Sequence, residues 1–387
     1  MQPPKMIFAQ LMDWIHPQTF RRIVLRHQGD YKTYRFSCSD QFLCLAFAQL
    51  TYRESLRDIE VCLRSRSSQL YHLGIRGAVS RSTLAHANEQ RPWQMYADLA
   101  EHLIAKARRL YAGDSFGVEL DQTVYALDAT TIDLCLSVFP WARFRSTKAA
   151  IKINTLLDLR GAIPTTIHVT PGEVHEVNWL DLLIFEPGAI YIMDRGYLDF
   201  ARLYRIAKVG AFFITRTKKG VKLARLYSRP VDFASGVRCD QTVRPTGVDT
   251  RGDYPAKLRR IKFYDAPNNR TFVFLTNHFE LPAATIAALY ARRWQIELFF
   301  RWIKQNLRIK TFYGTSDNAV KTQIWIALCV YVLVAIVKKE LHLQPSLYEI
   351  LQVLSVTPFE QVPLQELLTK TYDPTRNPCD CNQLPLW

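Results

Sequence analysis

The sequence predicts an α/β protein in which helical regions flank a mixed β-sheet. Apolar residues recur at helical spacing over the first 120 residues and again over 319–370. Between these regions, short apolar or β-branched runs alternate with helical segments, which is typical of a sheet that carries a site at its strand ends. The character of the sequence changes over 216–270, where short β-like runs are broken by Gly, Pro and Asp.

Composition narrows the classes of function. The 387 residues are 48% hydrophobic and 22% charged, as in globular proteins, and the net charge of +15 favours a polyanionic partner, most often nucleic acid. Charge alone does not separate DNA from RNA or from an anionic membrane surface. The longest apolar run, 324–337, is shorter than the roughly 18 residues of a membrane span, and the first residues lack a signal-peptide pattern. Because the eight Cys are scattered, we expect a cytoplasmic protein of a reducing compartment without membrane association.

Residues 1–115 predict a helical domain. Residues 41–50 are apolar at helical spacing, and the run Ser-Leu-Arg-Asp at 55–58 resembles a capping box that begins a new helix. A short serine-capped helix is predicted through residue 88, followed by a longer one over 93–111. Five polar side chains of the short helix either read a DNA groove or form an ordinary polar surface: Arg81, Ser82, Thr83, His86 and Asn88.

The middle of the chain predicts a sheet with two acids at strand ends. Strands are predicted at 124–127, 132–136, 151–159, 163–169, 190–193 and 211–215, and helices at 178–184 and 199–209. Asp128 and Asp194 each follow such a strand, where an acid projects into the site of an α/β sheet. For either acid alone, a turn or a helix cap is the simpler interpretation. Arg195 or Arg216 could also neutralise Asp194.

The stretch 216–270 is strongly basic and is followed by a predicted long helix. It holds fourteen Lys and Arg against five Asp, with strands predicted at 221–227 and 257–264. After another strand at 272–275, a helix is predicted from Pro282 to about residue 310. Two or three helices follow over 319–370, and the last residues, 371–387, predict a loose tail.

One face of the predicted 282–310 helix combines an acid with several cations. Its residues follow one another at steps of three and four: Tyr290, Arg293, Glu297, Arg301, Lys304 and Arg308. A solvated face with i,i+4 ion pairs is the ordinary interpretation. It does not explain why Glu297 is the only acid among six cations over 291–310. A metal-binding acid flanked by phosphate-binding cations does.

These residues resemble a known family. The spacing of Tyr290, Arg293, Glu297 and Lys304 is similar to the Y-R-E-K signature of bacterial DDE transposases of the insertion-sequence four family. DATT at 128–131 and MDRGY at 193–197 resemble that family's two other acidic regions, in the same order, with a basic β-rich insert before the glutamate. The resemblance covers roughly 120–310. Residues 1–110 also resemble the helical region that precedes the core in one branch of the family.

The resemblance implies a ribonuclease H-like core at 120–310, interrupted by the insertion at 216–270. It also implies an N-terminal DNA-binding domain (1–115), C-terminal helices (311–370) and a loose tail (371–387). By similarity, Asp128, Asp194 and Glu297 are the catalytic residues and hold two Mg²⁺ ions, for which Mn²⁺ can substitute. The side chains that would contact DNA are Tyr290, Arg293, Arg301, Lys304, Arg308, Lys218, Lys219, Lys222 and Arg225.

The reaction implied by the resemblance is cut-and-paste transposition of an insertion sequence. The ends of the element are cleaved through a hairpin, which needs a base flipped from the stack, and are then joined to target DNA. The partners are therefore the terminal inverted repeats, the target DNA and a second copy of the chain. Four aromatic residues of the insertion either stack on DNA bases or pack in a core: Phe233, Tyr254, Phe263 and Tyr264. Two alternatives stay open: a nuclease of the same fold that cuts without joining, and a non-catalytic DNA-binding derivative.

Overall fold

The computed structural model describes residues 4–306 and 312–370. Its α-helices are α1 (Ile7–Met12), α2 (Pro17–Arg26), α3 (Cys38–Leu50), α4 (Leu56–Arg64), α5 (Arg81–Gln90), α6 (Gln94–Tyr111), α7 (Phe200–Lys208), α8 (Val248–Asp253), α9 (Ala283–Ala291), α10 (Trp294–Asn306), α11 (Asp317–Glu340), α12 (Leu347–Val356) and α13 (Leu364–Lys370). Its strands are β1 (Val124–Leu134), β2 (Arg143–Arg145), β3 (Lys148–Asp158), β4 (Ile163–Pro171), β5 (Ile190–Met193), β6 (Phe212–Arg216), β7 (Leu223–Arg229), β8 (Val237–Pro245), β9 (Leu258–Asp265) and β10 (Arg270–Thr276).

The described residues form two compact units. The helical unit combines the residues up to Leu110 with those from Ile303 onward, and the sheet unit comprises Tyr111–Trp302. The N-terminal and C-terminal helices, which the sequence suggests as separate regions, thus lie in the same unit. Where two segments distant in sequence share one core, neither buries its apolar face alone.

In the helical unit, α11 is the central element. It packs against α3, α5 and α12, and every residue from Thr322 to Val337 is buried. This is the one described helix that is long and apolar enough to cross a membrane, and 94% of its most apolar window is buried inside the protein. The predicted buried helix is therefore confirmed. The predicted capping box is also present, because the side chains of Ser55 and Asp58 bond each other's backbone N–H groups at the start of α4.

In the sheet unit, ten strands form one mixed sheet. Its central part has the order β4-β3-β1-β5-β6, in which β4, β3 and β1 are mutually antiparallel and β1, β5 and β6 are parallel. This is a ribonuclease H-like arrangement, so the predicted fold class is confirmed. On one face of the sheet, Leu127 of β1, Met193 of β5 and Phe213 of β6 pack in a core that includes Leu203 of α7. Because side chains alternate along a strand, the residues that follow these three, such as Asp128 after Leu127, point toward the opposite face of the sheet.

The basic insertion continues the same sheet. β10 pairs with β6 on one side and with β9 on the other, and β8 and β7 follow outward. β8 was not predicted, because Arg238, Asp240 and Arg244 interrupt its apolar residues. One of these polar positions is explained by pairing: Asp240 is only 5% exposed and accepts hydrogen bonds from the buried Arg259 at both carboxylate oxygens, at 2.8 and 2.7 Å. Part of the insertion's positive charge is thus internal.

Arg259 holds this part of the sheet together. Besides Asp240, it donates to the carbonyl oxygens of His278 at 3.1 Å and Leu281 at 2.6 Å. A lysine keeps the charge but cannot reproduce the guanidinium fork. We expect Arg259→Lys to lower the free energy of unfolding by about 2 kcal/mol, measured by urea denaturation. Arg260→Lys on the same strand, where Arg260 is only half-buried and bonds Gln241, is the control and should change stability much less. Equal effects of the two changes would contradict this assignment.

The structure corrects three further predictions. The helix predicted from Pro282 to about residue 310 is two helices, α9 and α10, which are separated at Arg292 and Arg293. The strands predicted at 124–127 and 132–136 are one strand, β1, so Asp128 lies inside a strand and not after it. Tyr254, named as a stacking candidate, is 1% exposed and packs against Tyr204 and other aromatic rings.

Candidate active site

The two aspartates lie side by side because of strand pairing. β1 and β5 are parallel and pair up to Leu127 and Met193, so Asp128 and Asp194 are the residues that directly follow this last pair. β5 ends at this point, whereas β1 continues along β3. Asp128 therefore lies where the parallel pairing stops, at the carboxyl end of β5, which is where α/β sheets place their sites. Neither aspartate acts as a helix cap: Asp194 begins a short 3₁₀ helix but makes no capping hydrogen bond with its side chain.

Arg293 joins the first aspartate to the glutamate. Its Nη1 donates to Asp128 Oδ2 at 2.7 Å, and its Nη2 donates to Glu297 Oε1 at 2.5 Å. The Arg293 side chain is 15% exposed. Arg292 and Arg293 are the two residues between α9 and α10. Arg292 donates to the carbonyl oxygen of Gly117 and not to a carboxylate. One guanidinium thus holds two of the three predicted catalytic carboxylates.

Arg216 and Tyr290 hold the third carboxylate. Arg216, at the end of β6, donates to Asp194 Oδ1 from Nε at 3.0 Å and from Nη2 at 2.5 Å. The Tyr290 hydroxyl donates to the same oxygen at 3.2 Å, and its ring lies 4.8 Å from that of Phe274. Of the two arginines considered from the sequence, Arg216 forms this ion pair, whereas Arg195 contributes its backbone N–H.

The two aspartates have opposite pKa shifts. Burial raises the pKa of Asp128 to about 6, even though Arg293 and the Ala129 N–H stabilise its charged form. Burial also acts to raise the pKa of Asp194, but its hydrogen bonds to Arg216 and to the Arg195 N–H outweigh it, and the pKa is lowered overall. Burial raises the pKa of Tyr290 to about 12, so its phenol stays protonated and acts as a hydrogen-bond donor.

The raised pKa of Asp128 makes stability depend on pH. An unfolded aspartate has a pKa near 3.9. Between about pH 4 and pH 6, Asp128 is therefore protonated in the folded chain but ionised in the unfolded chain. The stability that this proton contributes is lost as the pH rises through 6. Asn at this position does not titrate. Without divalent ions, we expect the free energy of unfolding of Asp128→Asn, relative to wild type, to rise by on the order of 1 kcal/mol from pH 5 to pH 8. Urea denaturation at the two pH values measures this.

The control for this measurement is Asp133→Asn, which removes an exposed acid from the same strand. The assigned pKa shift would be contradicted if the free energy of unfolding of Asp128→Asn, relative to wild type, falls between pH 5 and pH 8. It would also be contradicted if this quantity changes with pH in the same way for Asp133→Asn.

The other predicted DNA contacts lie on accessible parts of the sheet unit and on α10. Lys218, Lys219 and Lys222 are exposed in the loop between β6 and β7, and Arg225 is exposed on β7 at the edge of the sheet. On α10, Arg301 is exposed and its guanidinium lies 5.8 Å from the centre of the Trp294 ring, while Lys304 is partly exposed. Arg308 lies outside the described residues. The roles of all these residues stay predictions.

A fourth carboxylate near the site was not predicted. Glu176 contributes to raising the pKa of Asp128, and its Oε1 lies 4.0 Å from Nζ of Lys152. Lys152 also donates to the carbonyl oxygen of Val174 at 2.8 Å. A signal was present in the sequence, because Lys152 is a charged residue within the apolar run of β3, AAIKINTLL. Such a residue has to find a partner when it is buried.

The donor atoms of the site fit a hard divalent cation. Three carboxylates provide oxygen ligands, which Mg²⁺ and Mn²⁺ prefer over nitrogen or sulfur. In this structure the three carboxylates form ion pairs with arginines instead: Arg293 contacts both Asp128 and Glu297, and Arg216 contacts Asp194. Within residues 4–306 and 312–370, no three His, Cys, Asp or Glu side chains are grouped closely enough to hold one ion. Metal binding at these residues therefore requires the guanidinium groups to move.

Comparison with known proteins identifies the family. The model of the transposase DDE domain matches residues 119–333, and a model of a domain of unknown function matches residues 4–76. The chain is similar to a Sinorhizobium fredii protein named as a transposase, with 35% identity over 65% of this chain and 70% of that protein. It is also similar to Geobacillus stearothermophilus and Synechocystis proteins named as transposases of insertion sequence elements. Their identities are 28% and 24%, over 65% and 70% of this chain and 66% and 75% of theirs.

Among solved structures, the fold is similar to the piggyBac transposase in a synaptic complex with hairpin DNA. The TM-score is 0.44 at 10% identity, over 95% of this chain and 81% of that one. The domain match covers more than half of the chain, and the curated relatives include insertion-sequence proteins. Divalent metal use is general for this domain. The chain therefore belongs to the bacterial insertion-sequence DDE transposases, a family of DNA-processing enzymes.

Proposed function

We propose that this transposase moves an insertion sequence by cut-and-paste transposition, with Asp128, Asp194 and Glu297 as its catalytic carboxylates. The observation that carries the proposal is the joint engagement of Asp128 and Glu297 by the Arg293 guanidinium, beside Asp194 at the end of a parallel strand pair. These carboxylates are far apart in sequence, and an arrangement that depends on a largely buried cation, 15% exposed, is costly unless it serves a function.

The residues that would hold divalent ions are Asp128, Asp194 and Glu297, and Mg²⁺ is the ion we propose, with Mn²⁺ as a substitute. When bound, two such ions stabilise charge on the attacking and leaving oxygens of an in-line phosphoryl displacement. Arg293 neutralises the carboxylates until DNA arrives and then turns toward a phosphate of the cleaved strand. Tyr290, which keeps its proton, donates a hydrogen bond to a phosphate oxygen beside the cut and does not act as the nucleophile.

Cations outside this cluster position the DNA. On α10, Arg301 and Lys304 neutralise phosphates next to the reacting one. The helical spacing of the sequence extends the same proposed role to Arg308. In the insertion, exposed Lys218, Lys219, Lys222 and Arg225 contact the backbone of the transposon end.

The hairpin step requires a base to leave the stack. Phe233 is 61% exposed, and the Arg238 guanidinium lies 5.9 Å from its ring and 5.2 Å from the ring of Tyr264. An exposed aromatic ring beside a cation is suited to stacking on a flipped base next to a phosphate. Among the four aromatic residues considered from the sequence, Phe233 is therefore the one we propose for this role.

The remaining regions serve the same reaction in this proposal. Residues 1–115 bind the terminal inverted repeats, the core at 120–310 with its insertion at 216–270 cleaves and joins, and the helices at 311–370 support a homodimer that pairs two ends. The partners are the terminal repeats and the target DNA, and the enzyme works in the bacterial cytoplasm, associated with the nucleoid when it is bound to DNA. No membrane partner is part of the proposal.

A strand-transfer assay tests the reaction type. Pre-cut ends of the element, a supercoiled target plasmid and Mg²⁺ are incubated with the full chain, and the products are separated by size. Joined products support transposition. Cleavage of uncut ends without any joining supports the nuclease alternative. Binding without cleavage in Mg²⁺ or Mn²⁺ supports the non-catalytic alternative, and either of these results overturns the proposal.

A further inference from the structure

We propose that a groove in the helical unit binds unpaired DNA bases by stacking them on two exposed tyrosines. The inference rests on the proposed function in taking DNA as the partner, but it concerns a different surface. The tyrosine groove lies between the loop 28–36 and helix α5 and has a volume of about 770 Å³. Its loop side lies within residues 4–76, the segment that matches only a domain of unknown function.

The loop presents two aromatic rings to solvent. Tyr34 is 93% exposed and Tyr31 is 70% exposed, although aromatic rings of this size gain most from burial. The ammonium group of Lys32 lies 5.3 Å from the centre of the Tyr31 ring. Because every base has an aromatic face, exposed rings next to cations form a stacking surface that does not depend on sequence.

The loop is held in one conformation at its base. Arg91 donates to the carbonyl oxygen of Ser37 at 2.8 Å and to Gln41 Oε1 at 3.1 Å, and its guanidinium lies 5.3 Å from the Phe36 ring. Asp30 Oδ1 accepts a hydrogen bond from the backbone N–H of Cys38 at 2.7 Å. The rings are therefore presented by a loop that is tied to helix α3 and to the end of α5, which limits the entropy lost on binding.

The backbone of the loop is strained at two positions. Gln28 and Lys32 have φ values of 52° and 54°, in the left-handed region that non-glycine residues rarely adopt. Strained residues persist where the surrounding contacts fix them, and they concentrate at binding sites. Lys32 lies between Tyr31 and Tyr34 in the sequence, so one of the two strained positions is next to the exposed rings.

The charge of the groove matches a phosphate backbone. Lys32 and Arg35 are exposed on the loop, and His86 is exposed on α5. Among the described residues that line the groove, none is acidic. An acidic peptide would use these cations but would leave the two exposed rings without a role. Cations beside stacking rings are the combination by which proteins bind single strands, so we assign the groove to single-stranded or locally melted DNA.

Fluorescence anisotropy with the full chain tests the assignment. The probes are a labelled single strand of about 16 nucleotides and the duplex of the same sequence. The variant Tyr31→Ala/Tyr34→Ala should bind the single strand at least about tenfold more weakly, whereas Tyr31→Phe/Tyr34→Phe should bind it like wild type. Tyr71→Ala removes another exposed tyrosine of the helical unit, 81% exposed, and is the matched control. Thermal melting establishes that each variant is folded.

Two further measurements separate stacking from charge. Photocrosslinking of a single strand that carries 5-iodouracil, followed by peptide mapping, should place the crosslink on Tyr31 or Tyr34. Lys32→Gln/Arg35→Gln should reduce the slope of log affinity against log salt by about 1.4 for the single strand. Unchanged single-strand binding by Tyr31→Ala/Tyr34→Ala together with crosslinks elsewhere would overturn the assignment, as would a loss shared equally by the duplex. Either result leaves the cleavage reaction untouched, because cleavage is measured separately through Glu297.

Discussion

Replacement of Glu297 by Gln is expected to abolish strand cleavage while the fold and DNA binding remain. The amide has nearly the same shape but lacks the negative charge that makes a carboxylate a strong ligand of a divalent cation. It also cannot act as the anionic partner of Arg293 Nη2. A metal contributes several kcal/mol of charge stabilisation in the transition state, so the cleavage rate should fall by roughly a thousandfold or more. The rate is measured on a labelled element end in Mg²⁺ and again in Mn²⁺.

The matched control is Glu280→Gln, which removes an exposed acid elsewhere in the sheet unit. It should cleave like wild type, and both variants should bind the element end with wild-type affinity in anisotropy measurements. Cleavage by Glu297→Gln at even a tenth of the wild-type rate would show that this glutamate is not a ligand in the reaction.

Replacement of Arg293 by Gln is expected to change stability and metal response together. Without the guanidinium, Asp128 and Glu297 lose the cation that both contact. Removal of one partner from a buried ion pair typically costs about 3–5 kcal/mol, and we expect a smaller loss here because the Glu297 side chain is 33% exposed. A divalent ion can then take the vacated position without competition. We expect a lower Tm than wild type in EDTA, and a larger rise in Tm when Mn²⁺ is added. Cleavage should also fall, because the phosphate contact that we propose for Arg293 is lost.

The neighbouring Arg292→Gln is the control, since Arg292 contacts only the carbonyl oxygen of Gly117 among the contacts described for it and is exposed. It should show the wild-type rise in Tm with Mn²⁺. If Arg293→Gln responds to Mn²⁺ no more than this control does, the guanidinium does not compete with metal for the carboxylates.

The elements that could be predicted are those whose sequence signal is local. The strand Ile190–Met193 is a short apolar run between a Pro-Gly pair and Asp194, and it has the predicted bounds. The capping box at Ser55 needs only two side chains three residues apart. β8 has no such signal, because charged residues interrupt its apolar positions and Asp240 is buried only through a partner on the neighbouring strand, Arg259. Periodicity could not reveal it, since the burial of Asp240 depends on a contact nineteen residues away.

The site was predictable in its residues but not in its contacts. The helical spacing and the family resemblance suggested Asp128, Asp194 and Glu297 together, and their catalytic roles stay predictions. The break between α9 and α10 was hidden, because the sequence over 283–306 lacks Pro and Gly and the periodic pattern runs through it. The break is a tertiary effect: Arg292 and Arg293 bond groups 175 and 165 residues away in sequence.

The continuity of the sheet constrains any shortened form of this enzyme. β10 is an apolar strand, and its outer edge is covered by β9 of the insertion. Excision of the insertion would leave that edge with unpaired N–H and C=O groups beside Phe272 and Phe274, which is a template for aggregation. A minimal version built for genome engineering would therefore need a substitute strand or edge lysines, and natural relatives with short insertions should carry some such protection.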